Sequence, residues 1–588
     1  MLSSSFADPF NVSIEISQVS ESDNDDLYDS DYEPSFTVTA VLPDEVITAT
    51  AEVPFEEMEF GMEVPDDDVG EDDTTEEVGP AIDRVKTEDD CTRITDDIVC
   101  LSFLKQIKTL ANTHVTQCTH CSSPVAIEEK FVGSALYLKW ICKNKHLVHE
   151  WCSQPLLNKR LHSIDFLIAA SILTSGNNFH KMALWAEHLR LKFVSEATFH
   201  NIQRCYLVPT IENFWSDHQK EVVAEMKDKE LVVLGDGRMD SPGYSAQYCS
   251  YTIMESESKK ILTLKTLDKR VTDRKSTNME KKGFSDALGE VMAKGLKVKE
   301  VVTDAHMAIG AFMRTQYPDV KHSNDVWHVA KNLGKKIISA GQQKGCESLQ
   351  KWARDIINHF WFTCQKAQTY AEFLNIWRSV LNHVVNEHHW ILPHGRGTNK
   401  CLHGPLNDDE RDKPWLDRKA DSEALATLAK IVLDKRFLNR VGYVLNFRST
   451  SALEVFHNHI LMYCAKRFAY TPPVYRARNL LAALDHNVHL DRPLLKNKEG
   501  SVVYARHYNK KSGRWTAYPR KIRKTYPHIR TLIRQALLRR LTDKVGMRGQ
   551  RVLSADDPRR LSANLAPIAP PATSQLVEQH VSRFDTGN

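Results

Sequence analysis

Glu230-Leu-Val-Val-Leu-Gly-Asp236-Gly-Arg238 and Val298-Lys-Glu-Val-Val-Thr-Asp304 are runs of one kind, aliphatic and β-branched residues that end at an aspartate. Short apolar runs bounded by glycine or polar residues read as buried strands. The glycines on either side of Asp236 are read as allowing close backbone approach by a metal and a phosphate. Between the two runs, Ser245-Ala-Gln-Tyr-Cys-Ser-Tyr-Thr-Ile-Met and Lys260-Ile-Leu-Thr-Leu-Lys-Thr-Leu predict two further strands. Asn278-Met-Glu-Lys-Lys-Gly-Phe-Ser-Asp-Ala-Leu-Gly-Glu-Val-Met predicts an amphipathic helix. A lone aspartate at a strand end is more often a cap than a ligand. Two of them gain meaning only if the strand order brings them together.

Three strands, a helix, a strand and a helix is the order of the ribonuclease H fold, an α/β fold with a mixed sheet. There the ends of the first and fourth strands lie side by side, so Asp236 and Asp304 would meet although 68 positions apart. Paired carboxylates suit two Mg²⁺ (or Mn²⁺) ions, one activating water or a 3′-hydroxyl and the other stabilising the leaving oxygen. Hydrolysis and strand transfer of phosphodiesters is the chemistry expected. After Asp304, His306-Met-Ala-Ile-Gly-Ala-Phe-Met-Arg reads as a helix, and Val320-Lys-His-Ser-Asn-Asp325-Val-Trp327-His328-Val-Ala-Lys as a strand passing into another.

Gly235-Asp-Gly-Arg, Thr303-Asp-Ala-His, Tyr317-Pro, Asp325-Val-Trp-His and Leu453-Glu-Val-Phe-His together resemble the Kolobok-type DDE transposases of animal genomes, whose architecture is related to Mutator-like and hAT-like elements. The resemblance spans roughly residues 115 to 530. It implies a third catalytic acid after a helical insertion, here Glu454 in Arg448-Ser-Thr-Ser-Ala-Leu-Glu-Val-Phe-His, a helix whose Ser/Thr start resembles an N-cap. Residues 335–445 would be the large all-α insertion, with the core divided into 230–334 and 446–490. Asp325 and His328 match the family's acid-x-x-His signature beside the active site; Trp327 would either offer a stacking face or pack the helix onto the sheet. The resemblance further implies a transposase, or a protein derived from one, that cleaves double-stranded DNA and joins the free 3′-hydroxyl to a target, working in the nucleus as a homo-oligomer on DNA. The alternative is a domesticated, catalytically silent DNA-binding or chromatin-associated protein. The Cys-x-Cys…Cys-x-x-His pattern of the THAP module that begins many members is not visible in the acidic N-terminal stretch.

Composition agrees with a polyanion partner. The chain has 588 residues and a net charge of +1, but residues 1–90 hold 28 Asp/Glu against two Lys/Arg. The remainder carries 75 basic against 48 acidic residues, an excess of about 27 that would release counterions on binding nucleic acid. Residues 1–95 read as a disordered acidic tail, since clusters such as Asp66-Asp-Asp repel one another and offer no core. No signal segment or apolar run of membrane-spanning length is evident, and an intracellular protein outside membranes is expected. Twelve cysteines, several beside histidines, suit reduced thiols and metal ligands rather than disulfides.

Residues 96–160 hold Cys118-Thr-His-Cys121 and Cys142-Lys-Asn-Lys-His146, separated by a strand, Ala135-Leu-Tyr-Leu-Lys-Trp-Ile. This is the pattern of a small structural zinc ribbon with Cys118, Cys121, Cys142 and His146 as ligands; His149 or Cys152 could replace His146. Residues 161–229 have helical periodicity, either a packing bundle or a helix-turn-helix with its recognition-type helix at Phe193–Arg204. The insertion contains Cys364, His383, His388, His389, Cys401 and His403, enough for a second zinc site. Residues 491–560 are basic and aromatic: from Arg492 to Arg551 there are 18 Lys/Arg against two acids. Lys510, Lys511, Arg514, Trp515, Arg520, Lys521, Arg523 and Lys524 there, with Arg238, Lys466 and Arg467 near the acids, are the candidate DNA contacts. Arg520-Lys-Ile-Arg-Lys also reads as a nuclear localisation signal. Residues 561–588 read as a disordered tail.

Overall fold

Thr87 begins the first helix, α1 (Glu88–Asp96), with a capping box: its hydroxyl accepts from the Asp90 N–H, and the Asp90 carboxylate accepts from the Thr87 N–H. Three acids in the first turn suit the positive end of the helix dipole, so the acidic stretch gives way to ordered structure before residue 95, the boundary expected for the tail. The buried Cys91 and Ile94 anchor α1 in the core. The computed structural model describes residues 82–241, 246–391, 398–404, 414–466, 468–509, 513–547 and 553–578. The acidic stretch 1–81 and three candidate DNA contacts, Arg467, Lys510 and Lys511, lie outside the described residues.

After α2 (Leu104–His114), β1 (Val125–Val132), β2 (Ala135–Cys142) and β3 (Leu147–Cys152) form an antiparallel meander. Gly133, at φ +58°, turns β1 into β2, and a Cβ there would strike Asp165 Oδ2 at 2.3 Å. Asp165 accepts from the Ser134 N–H at 2.9 Å, which docks the meander onto α3 (Ser163–Thr174). Helix α4 (Phe179–His188) follows, then α5 (Glu196–Ile202), which runs through a π-turn into α6 (Val208–Met226). The recognition-type helix expected at 193–204 therefore has Phe199 and Ile202 buried and continues into α6. Helices α3 to α6 share one core with the sheet that follows; their apolar faces are spent on packing.

That sheet is mixed and five-stranded: β4 (Glu230–Met239), β5 (Tyr248–Glu255), β6 (Ile261–Asp268), β7 (Lys297–Thr303) and β8 (Lys321–Asn324), in the order β6-β5-β4-β7-β8. β4, β5 and β6 pair antiparallel, while β4, β7 and β8 pair parallel. Side-chain alternation divides the strands: Leu234 and Val302 face one layer of helices, while Val233 and Val301 face α7 (Met279–Ala293) and α8 (Met307–Gln316). Helix α9 (Val326–Ala340) leaves the sheet and opens a second core made with α10 (Ser348–Lys366), α11 (Tyr370–Arg378), α12 (Val380–His383), α13 (Ser422–Val432) and α14 (Lys435–Leu438). A short hairpin, β9 (His389–Ile391) with β10 (Thr398–Lys400), interrupts these helices.

The chain returns to the sheet as α15 (Ser451–Tyr463) and α16 (Pro472–His489). An exposed hairpin, β11 (Tyr504–Asn509) and β12 (Arg514–Pro519), precedes α17 (Pro527–Thr542), and α18 (Thr573–Glu578) comes last. Helix α17 buries Leu532, Ala536 and Leu537 in the core of α3 to α6, and the fully buried Arg540 donates to Tyr206 Oη and Asn158 O. Part of the region expected to be a nucleic-acid surface is thus core. Among the described residues no helix is long and apolar enough to cross a membrane.

The return from the insertion is latched by Glu300, buried on β7: Arg448 donates to it from Nε and Nη2 (3.2 and 2.9 Å), Asn446 at 2.7 Å and Ser323 at 2.5 Å. These donors hold the Glu300 carboxyl below its ordinary range although burial opposes them. Arg448→Met should cost about 2 kcal/mol, because it strands a buried carboxylate whose partner was itself one-third exposed. The loss should appear as a lower denaturant midpoint, partly restored when Glu300→Gln is added.

Candidate active site

The register of the central strands places the two aspartates. The parallel pair β4–β7 runs to Leu234 opposite Val302, so two residues further on, on the same face, Asp236 and Asp304 come side by side. Asp304 lies just past the end of β7, whereas β4 continues beyond Asp236 to Met239, paired with β5, and does not end at the aspartate as expected. Leu234 and Val302 pack on that face against Leu453, Phe456 and Ile460 of α15. Glu454, next to Leu453 in the first turn of α15, comes from the same layer. His328 joins the acids: its Nε2 lies 3.2 Å from Asp304 Oδ2 and 3.9 Å from Glu454 Oε1.

Asp325 is close to these groups but occupied otherwise. Its Oδ1 caps α9 by accepting from the Trp327 N–H (2.6 Å), and its Oδ2 accepts from the Thr450 N–H (2.8 Å) and hydroxyl (2.6 Å). At 2% exposure this carboxylate ties the start of α9 to the start of α15. Thr450 stands at the N-cap position of α15, as expected, but makes no side-chain capping bond, because its hydroxyl is donated to Asp325. Trp327 packs against the insertion core, not onto the sheet, with Lys331 Nζ 4.5 Å from its ring centre.

Electrostatically the site is a concentration of like charge. Burial, then the neighbouring Asp304, pushes the Asp236 carboxyl well above its ordinary range. Burial also raises Asp304, with Asp325 adding to the effect, and raises Glu454. A fourth acid, Glu280 in the first turn of α7, approaches from the other face of the sheet and is raised by burial too. Among the described residues the ion-pair partners of Asp236, Asp304 and Glu454 are histidines: His328, and His457, whose Nδ1 lies 3.5 Å from Asp236 Oδ2. Burial holds His457 down to about 3, so it is neutral and supplies no compensating charge. Converging carboxylates without a lysine or arginine partner are a donor set that fits hard divalent cations.

Glu280 and His457 were not singled out from the sequence. His457 was legible as the residue one turn after Glu454 on the same helix face. Glu280 was not, because its approach depends on the glycines beside Asp236. A Cβ at Gly237 would meet Glu280 Cγ at 3.0 Å, and one at Gly235 would meet Tyr251 Oη at 2.8 Å. These glycines make room for α7 and Tyr251, a different reason from the approach of metal and phosphate expected of them.

The candidate DNA contacts divide. Arg514, Trp515, Arg520, Lys521 and Arg523 lie on the exposed β11–β12 hairpin and the segment after it, with Trp515 69% exposed. Lys466 is exposed three residues after the end of α15. Arg238 is a correction: it is 6% exposed and its Nη2 donates to Cys464 O, because β4 carries it under α15. Lys524 is another, its side chain 9% exposed and its Nζ 3.6 Å from the buried Asp485 carboxylate.

Cys118, Cys121, Cys142 and His146 converge with all ligand atoms within 4.8 Å of one another, a group that could hold a metal ion. Cys121 and Cys142 Sγ are 3.7 Å apart and Cys118 Sγ is 3.6 Å from His146 Nδ1. Tetrahedral zinc, with Zn–S near 2.3 Å and Zn–N near 2.0 Å, sets these spans at about 3.8 and about 3.5 Å. Hydrogen bonds from Ser123 hold the Cys121 thiol down to about 5, toward the thiolate a metal takes. Of the alternatives to His146, Cys152 is buried beside Leu156 and Ala135, and the His149 ring packs on Trp140.

No family model matches this chain, and no curated protein matches it. Among solved structures it is similar to the Drosophila P element transposase strand transfer complex, at 10% identity and a TM-score of 0.24, over 55% of this chain and 92% of that one.

Because the folded-state pKa of Asp236 is raised above its unfolded value, the metal-free protein loses stability as pH climbs past the unfolded pKa near 3.8 and toward the folded one. Asp236→Asn should therefore raise the metal-free unfolding temperature at neutral pH, with the gain shrinking as pH falls below about 4. Thermal denaturation in chelator across that range checks it; wild type alone should gain stability when Mg²⁺ is added.

Proposed function

We propose that this protein is a DDE-type DNA transposase, or derives from one of Kolobok type, built on a ribonuclease H-like core. The observation that carries the reading is the approach of Asp236, Asp304 and Glu454 to one another, from β4, the end of β7 and the helix after the insertion, with histidines as their ion-pair partners among the described residues. The strand order, with the first strand central between an antiparallel and a parallel wing, agrees with it.

In this reading Asp236, Asp304 and Glu454 hold Mg²⁺ or Mn²⁺, which supplies activation of water or a 3′-hydroxyl and stabilisation of the departing oxygen. The protein's part is to hold the carboxylates fixed and close together. Asp325 is a positioning residue, setting Glu454 through Thr450. His328, between Asp304 and Glu454, steadies both carboxylates and can donate to a phosphate oxygen. Cys118, Cys121, Cys142 and His146 take a structural Zn²⁺ that sets the N-terminal ribbon. The exposed Lys466, Arg514, Trp515, Arg520, Lys521 and Arg523 provide cations and an aromatic face for double-stranded DNA. Homo-oligomeric action on DNA in the nucleus belongs to the same proposal.

Labelled duplex carrying the terminal sequences that flank the coding region should be cleaved in Mg²⁺ or Mn²⁺. Asp236→Asn and Glu454→Gln should reduce cleavage to background, and Asp325→Ala should lower it about 10- to 100-fold, as loss of a supporting partner does. Binding of correct ends without cleavage would favour the silent DNA-binding alternative, and cleavage indifferent to both carboxylate changes would refute the site.

A further inference from the structure

The insertion holds a second group of convergent ligands. His383 ends α12, His388 precedes β9, and Cys401 and His403 follow β10, with all four ligand atoms within 4.8 Å of one another. Of the six residues whose types suggested a site, Cys364 is buried on α10 and His389 is exposed on β9; neither belongs to the group.

Outer polar partners are in place: His403 Nδ1 is 2.7 Å from the Gly404 carbonyl and His388 Nε2 is 3.0 Å from Asn386 Oδ1. That leaves the other ring nitrogens, His403 Nε2 and His388 Nδ1, facing each other at 3.1 Å. His383 Nδ1 is 3.7 Å from Cys401 Sγ. Around tetrahedral zinc two imidazole nitrogens sit about 3.4 Å apart and a nitrogen and a sulfur about 3.5 Å. The outer partners, a backbone carbonyl and a side-chain amide, are of the kind that orient metal-bound histidines.

We propose that His383, His388, Cys401 and His403 form a second, structural zinc site that pins the β9–β10 hairpin to α12. Three imidazoles and one thiolate complete a tetrahedron, leaving no open position for chemistry. The hairpin pairs over only three residue positions, too few to hold a strand pair by themselves, and the zinc supplies the missing anchor. Trp415, whose ring lies 5.4 and 5.5 Å from those of His383 and His388, closes one side against water.

Zinc content and zinc-edge X-ray absorption of the full-length wild-type chain test this without any substitution. Two zinc ions per chain, with a mean shell of two sulfurs and two nitrogens, are expected from one three-sulfur and one three-nitrogen site. A single zinc with three sulfurs and one nitrogen would overturn the proposal and leave only the site at Cys118–His146. A single zinc with one sulfur and three nitrogens would support it and instead remove the N-terminal site. His403→Ala should shed one zinc and shift the remaining shell toward three sulfurs; a folded variant that keeps both ions would also overturn the proposal.

Discussion

The buried carboxylate of Asp325 holds the candidate site together. It accepts from the Trp327 N–H on one side and from the backbone and hydroxyl of Thr450 on the other, residues separated by the whole insertion. A carboxylate removed from water must have its lone pairs met, and this one has them met only when both chain ends are in place. Glu300 repeats the arrangement one strand over, with Arg448 and Asn446 as its donors. Together they return the chain to the sheet edge at a set height, and Glu454 follows four residues after Thr450, one turn into α15. An insertion with its own core can then vary without moving the third acid.

The same region accepts an electrostatic cost. Four acids are driven toward their neutral forms by burial and by one another, and the histidine deepest among them is neutral. A protein selected for stability alone would place a lysine here or disperse the acids. Crowded carboxylates within reach of the surface are what a site for divalent cations requires, and the expense is offset by the helices that grip both faces of the sheet. The two Cys/His groups lie away from the acids in the chain: one gathers its four ligand atoms at the end of the three-stranded meander, which has an apolar cluster of its own, and the other beside the short β9–β10 hairpin.

The strands were legible from residues 230 to 304 because apolar runs reflect a local rule, side-chain alternation and burial, that needs no knowledge of neighbours; that β4 carries on past Asp236 to Met239 was decided by its pairing with β5. The Cys118–His146 group was legible for the same reason: two residues between thiols is a distance the chain itself imposes. Glu454 could be singled out only by resemblance, since an acid in the first turn of a helix is ordinary by itself. Tertiary structure decided the rest. It buried Arg238 and Lys524, whose charge alone suggested a surface, and turned the recognition-type helix and α17 inward, because amphipathic periodicity shows that a face is buried and not against what. It brought Glu280 beside the acids from the opposite layer, gathered four of the six Cys/His residues of the insertion into one group, and gave Asp325 its task of joining two helices. Each of these depends on contacts between residues far apart in sequence, which pairing register and packing create and which no local pattern encodes.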